Sequence, residues 1–336
     1  MSPHSPRVAR LTRLKPALTG VALALALTAC GGTDDGKAAG ADADAAPQGV
    51  VTRAAAEKIA DHYQAVNNKA NATLDAKLLA TVEAGQVHAM DKATYTLFET
   101  WPEKQQKAYV KPFSYEDRSY VIPRKGTATW FAVQARSSEN KDESVLLVFD
   151  KVGGTYKMVL SLWTDEEPPK PAVDRHGLAE AVDPAAKVGQ FAPSDLGAAY
   201  ADLLATGGTK EGKALAASAP VTEAKKTFQE AGTKGTADGM ATRMFFPEPP
   251  ADPSTYALRT ADGGVLALFP AAHKQETLLK ERYRSSASLV PSDEQSALGA
   301  IRGDLITDMF QGQGTAVLTP KSTRITAVDF THVDAK

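Results

Sequence analysis

The chain has a single cysteine in 336 residues, so no intrachain disulfide and no cysteine-based metal cluster is open to it. Its histidines, His4, His62, His88, His176, His273 and His332, include no pair at zinc-binding spacing, and the stretch HYQAV from His62 lacks the HExxH pattern. No G-x-S-x-G elbow offers a serine nucleophile. The segment GGTKEGKA, Gly207 to Ala214, has the glycines and lysine of a P-loop, but Ala214 stands where a Ser or Thr must hold Mg²⁺. It also follows a helical pattern and not a strand, which makes it a helix–turn–helix connection. The residues therefore point to no catalytic group, no cofactor and no metal site. Charge is equally sparing: residues 1–29 hold four basic and no acidic residues, and the remainder carries 34 basic against 40 acidic, a net −6. That balance gives no footprint for nucleic acid and no polybasic patch for anionic lipid.

What is present begins at the N-terminus. Arg7, Arg10, Arg13 and Lys15 precede an apolar stretch from Ala17 to Leu27, far short of the ~20 residues that span a bilayer. A basic region, a short apolar region and small residues form a secretory signal, and Arg10 and Arg13 are not adjacent, as the twin-arginine route requires. The small residues Leu27-Thr28-Ala29 lead straight into Cys30. This site resembles the lipobox of bacterial lipoproteins. The resemblance implies cleavage after Ala29, a diacylglyceryl group on the Cys30 sulfur and a place on the extracytoplasmic face of the cell membrane. Two or more acyl chains hold a protein stably where one does not.

The domain reading is a signal peptide at 1–29, a lipidated Cys30 with a disordered tether to residue 49, an α+β domain at 50–163, a linker at 164–175 and a second α+β domain at 176–336. The tether, GGTDDGKAAGADADAAPQG, is small, polar and aperiodic, and reaches roughly 25 Å. Ile59, Tyr63 and Val66, then Leu74, Leu78 and Val82, have helical spacing, with Gly85 at the place of a C-terminal glycine. After Trp101-Pro102 the pattern alternates: Phe131, Val133 and Ala135 share one face, as do Val145, Leu147 and Phe149, and turn-rich breaks at 137–142 and 150–155 divide three antiparallel strands. TDEEPPKPAVDR, with Asp165, Glu166 and Glu167 solvated, is the linker. Beyond it, Ser194 is a candidate N-cap for a helix bearing Leu196, Tyr200, Leu203 and Leu204 and ending at Gly207; a second helix runs from Pro220 to Gly232. The strands ATRMFF, TYALRT, GVLALF, GTAVLTP and STRITAVDF follow. Tyr120, Arg124, Gly126 and Phe131 echo Tyr256, Arg259, Gly263 and Phe269, as a divergent duplication would.

Helices followed by an antiparallel sheet in each half give an α+β chain of two domains, NTF2-like or cystatin-like by analogy of element order. The stretches YQAVNNKANATLDAKLL, TWFAVQA, LLVFDK and YALRTADGGVLALF resemble an actinobacterial secreted lipoprotein family that carries a domain of unknown function. The resemblance implies an exported lipoprotein and leaves its activity open. The leading expectation is a membrane-anchored binding or interaction module of the cell envelope, with an envelope protein or a small ligand as partner. The alternatives are a solute-binding lipoprotein and an enzyme with an NTF2-like pocket. Trp101, Trp130 and Trp163 are expected in cores and not around a ligand.

Overall fold

The computed structural model describes residues 47–234 and 239–336. The signal 1–29, Cys30 and the tether as far as Ala46 lie outside them. Residues 47–336 form one compact unit. Gln48 and Gly49, which the tether reading included, take part in the fold: Gly49 pairs with Arg124, the Gln48 carbonyl accepts from the Lys125 amide at 2.8 Å, and the Val50 amide donates to Pro123 at 2.9 Å.

Helix α1, Arg53–Thr73, is capped by the Thr52 hydroxyl, which accepts from the Ala55 amide at 3.2 Å. Its inward line is Ala56, Ala60, Tyr63, Asn67 and Ala70; Ile59 and Val66 flank that line and are half-buried. The helix does not run on to Gly85. Leu74 turns left-handed at φ 52, and the Asp75 carboxylate then caps a single turn, α2, Ala76–Leu79. Gly85 opens a helix instead of closing one: α3, Gly85–Leu97, begins there with φ +60, and a Cβ at that point would meet Asp252 Oδ2 at 2.6 Å. A short α4, Glu103–Tyr109, follows.

The first sheet is a meander of four antiparallel strands, β1 Tyr115–Val121, β2 Phe131–Ser137, β3 Ser144–Val152 and β4 Thr155–Thr164, in that order. Three match the alternating pattern, and β1 is added to them. Gly153 and Gly154, at φ +61 and +88, make the two-residue turn between β3 and β4. The charged residues of 164–175 are engaged: Glu166 accepts from Arg324 Nη1 at 2.9 Å, Glu167 from Ser144 Oγ at 2.9 Å, and the Ala172 amide donates to Arg259 at 2.8 Å.

Helix α5, Leu196–Thr206, enters through a 3₁₀ turn in which Asp195, and not Ser194, takes the backbone amide of Ala192, at 2.8 Å. It ends at left-handed Gly207, and α6, Ala219–Lys234, carries Pro220 in its first turn. Between them, the Asp202 carboxylate accepts from the Lys210 and Gly212 amides at 3.0 and 2.9 Å. The P-loop-like segment thus spends amides on the protein's own aspartate. The second sheet holds β5 Ala241–Pro247, β6 Tyr256–Arg259, β7 Val265–Leu279, β8 Leu305–Thr319 and β9 Ser322–Ala335 in the order β5-β7-β8-β9, with β6 also on β7. A last short helix, α7, Asp293–Ala297, precedes β8. The segments aligned as a duplication are β1–β2 and β6–β7, whose turns contain Gly126 at φ +89 and Gly263 at φ +87.

Strand β7 is far longer than GVLALF. It tolerates Pro270 because β6 pairs residues 265–268 and β5 pairs 273–279, so on that edge the missing amide falls in the gap between the two strands. The layers run helix, sheet, sheet, helix. Ala56, Ala60 and Tyr63 of α1 cover Phe131, Val133, Val145, Leu147 and Phe149. The opposite face of that sheet, with Ala132, Leu146, Val148 and Leu160, lies on Tyr256, Leu258, Leu266 and Leu268. Val265, Ala267 and Phe269 then face Leu196, Leu203 and Val221 of α5 and α6. The fold is α+β, with helices on an antiparallel sheet in each half. All three tryptophans lie in the first half, whereas Leu268 belongs to the second and is 1% exposed. Leu268→Ala is expected to cost about 2–5 kcal/mol and to lower the denaturation midpoint seen by tryptophan fluorescence together with that seen by circular dichroism. A fluorescence transition that stays put while the dichroism moves would show that the halves do not share stability.

Candidate functional site

The most unusual residue of the core is Glu83, a carboxyl group 1% exposed between α2 and α3. Its Oε1 accepts from the Tyr63 hydroxyl at 2.9 Å and from Asn67 Nδ2 at 3.1 Å. The chain of bonds continues: Asn71 Nδ2 donates to Asn67 Oδ1 at 3.0 Å, and the Tyr95 hydroxyl to Asn71 Oδ1 at 2.7 Å. Asn71, the first residue of an Asn-Ala-Thr triplet, is therefore a link between α1 and α3. Burial pushes the Glu83 carboxyl well above its ordinary range, and the neighbouring Asp91 adds to this by repelling its charge and by bonding to its protonated form. Burial lowers the His88 imidazole, helped by Lys92 and Lys157. Although His88 Nδ1 stands 4.0 Å from Glu83 Oε2, both groups are pushed toward their neutral forms, so this is a polar contact and not an ion pair.

In front of Tyr63 lies a cleft of about 340 Å³ between α1 and the β3–β4 hairpin. Tyr63, Val82 and Phe149 form its floor, and Ile59 and Tyr156 its sides. The Tyr63 ring meets Phe149 edge-on at 5.7 Å, and Phe131 stacks beneath Phe149 at 5.2 Å, so the floor is fixed by a packed aromatic column. Lys58, His62 and Thr155 stand at the mouth. A wider depression beside Lys280, Glu281 and Arg282 is open to solvent and encloses nothing.

The structure brings His273 and His332 together, which their positions in sequence did not indicate. Both stack on Phe310 at 4.8 Å, and His332 Nε2 lies 3.1 Å from Asp308 Oδ1. Asp308 also accepts from Gln275 at 3.2 Å and from Gln295 of α7 at 3.0 Å. With three partners, it serves to fasten α7 to the second sheet. Among the described residues no group of three or more His, Cys, Asp or Glu could hold a metal ion. Trp130 packs on Tyr256 at 5.2 Å, Trp101 on Phe98 and Tyr109, and Trp163 joins the first core; none lines the cleft. Sequence reasoning missed Glu83 and Asp308. The available signals were a lone acid inside the apolar run LLATVEAG, and the period-two series Ile306, Asp308, Phe310.

Residues 47–336 match the family described as Domain of unknown function (DUF8094). The chain belongs to this family. It is 35% identical over 286 residues to an uncharacterized lipoprotein of Streptomyces coelicolor, covering 78% of this chain and 77% of that protein. A second uncharacterized lipoprotein of the same organism is 27% identical over 260 residues, 76% of this chain and 75% of the relative. A third, from Streptomyces avermitilis, is 29% identical over 171 residues, 49% of each. No solved structure matches, so the NTF2-like and cystatin-like comparisons rest on element order alone.

Glu83 makes a pH-dependent contribution whose sign is fixed by its shift. A carboxyl raised in the fold supports stability below its ordinary value of 4.5 and loses that support as pH climbs through the folded value, by at most about 1.4 kcal/mol per pH unit. Glu83→Gln keeps an acceptor for Tyr63 and Asn67 without a proton to lose. Its melting temperature is expected to fall less than that of the unaltered chain between pH 5 and pH 8. Parallel curves for the two proteins would contradict the shift.

Proposed function

We propose that this chain is a lipoprotein held on the extracytoplasmic face of the cell membrane by acyl chains on Cys30, and that its folded unit is a binding module. The observation that carries the anchor is the Leu27-Thr28-Ala29-Cys30 site at the end of a short apolar stretch, in a chain whose relatives are lipoproteins. Among the described residues no helix is long and apolar enough to cross a membrane. The residues between Cys30 and Pro47 would join the acyl chains to the folded unit. The 164–175 segment is the boundary between two α+β domains that work as one body.

The cleft before Tyr63 supports binding over turnover. Among the described residues no carboxylate lines it, and Glu83, bonded to the Tyr63 hydroxyl, has its Oε1 held by two donors. The solute-binding alternative has less in its favour. Such lipoproteins alternate strands and helices around parallel sheets, whereas both sheets here are antiparallel throughout.

Replacing Cys30 by alanine in the native host tests the anchor. The variant is expected to leave the membrane fraction and to appear in the soluble or culture fraction. Retention on the membrane as firm as that of the unaltered chain would refute the assignment.

A further inference from the structure

The mouth of the cleft has an electrostatic character that its floor lacks. Lys58 and His62 sit one turn apart on α1, and neither makes a hydrogen bond or ion pair among the described residues. The acids closest to them in sequence are already engaged: Glu57 accepts from Arg53 Nε at 3.0 Å, and Asp61 from Arg118 Nη1 at 2.5 Å. The acid of the hairpin, Asp150, accepts from Thr129 at 2.7 Å and from Tyr256 at 3.1 Å. The Lys58 ammonium and the His62 ring therefore have no ion-pair partner among the described residues, and they stand at the rim of an apolar floor.

We propose that the cleft binds a small organic monocarboxylate with an aromatic or short alkyl body. The inference rests on the binding reading above and names its ligand class. The body would lie on Phe149, Val82 and the Tyr63 ring, flanked by Ile59 and Tyr156, and the carboxylate would meet Lys58 and His62 at the rim. A volume of about 340 Å³ is at the small end of small-molecule sites, and a mostly apolar lining with a few convergent polar groups is their usual make-up. The hairpin side of the cleft is fixed by the Tyr156 ring, which meets Phe131 edge-on at 5.4 Å.

The test uses the chain with Cys30→Ala, which keeps the whole compact unit, with phenylacetate as probe and uncharged phenylacetamide beside it, followed by amide chemical shifts. Phenylacetate is expected to give saturable shifts centred on 58–63 and 149–156, with phenylacetamide at least tenfold weaker. Lys58→Glu, an exposed substitution that leaves the fold intact, is expected to weaken phenylacetate at least tenfold while changing phenylacetamide little. Ile59→Trp, which fills the cleft, is expected to abolish both, after circular dichroism has confirmed its fold. No saturable shift at millimolar probe, equal binding of acid and amide, or indifference to Lys58→Glu would each overturn the proposal. None of these outcomes bears on the membrane anchor, which the fractionation reports separately.

Discussion

The two sheets lie face to face, and the rest of the structure depends on that contact. Val121, Leu146, Val148 and Leu160 on one side and Leu258, Leu266 and Leu268 on the other leave no wet face between them. Each sheet must then be apolar on both faces, since α1 covers the far side of the first and α5 with α6 the far side of the second. A buried polar side chain that bridges the layer illustrates the constraint. Gln313 of β8, 1% exposed, bonds both the amide and the carbonyl of Ser161 in β4, so a buried amide is admitted only where it is satisfied. A close approach of strands has the same effect at Gly314, where a Cβ would fall 2.5 Å from the Phe269 ring.

This double burial explains which parts of the fold could be read from the amino acids. The parity of β2 and β3 was legible, because Phe131, Val133, Ala135 and Val145, Leu147, Phe149 are apolar at every second position and all face α1. Strand β7 was legible only at its apolar start. Its remainder contains Pro270 and the polar run HKQET, which reads as a break until the gap between β5 and β6 is known. Helix α3 was missed because its first residue is a glycine, a residue type that closes helices far more often than it opens them. Here the need for glycine comes from Asp252, which is 167 residues away and invisible to local pattern.

The site was less legible than the fold, for a related reason. Glu83 has no companion in sequence; Tyr63, Asn67 and Asp91 come from α1 and α3, and only the packing of those helices makes a network of them. The cleft is equally non-local, taking its floor from α1, the segment between α2 and α3, and the β3 strand. Tyr63 joins the two. Its ring is part of the cleft floor, and its hydroxyl donates to Glu83, so one residue takes part in both the shape of the cleft and the polar network behind it. Membership of a family of unknown function, with uncharacterized lipoproteins among the relatives, does not describe this surface.

The entry of the chain into the fold has a mechanical side. Whatever pulls on residues ahead of Pro47 is resisted first by two hydrogen bonds, Lys125 to Gln48 and Val50 to Pro123. They lie side by side across a short antiparallel bridge at the end of β1, where strain opens them in succession and not together. Next in line is the N-terminus of α1, held to the sheet by Ala56 and Ala60. The two-sheet core stands last on this path. An attachment made ahead of Pro47 would therefore load a weak link placed outside a strong body: traction would peel a few residues before it disturbed the two-sheet core.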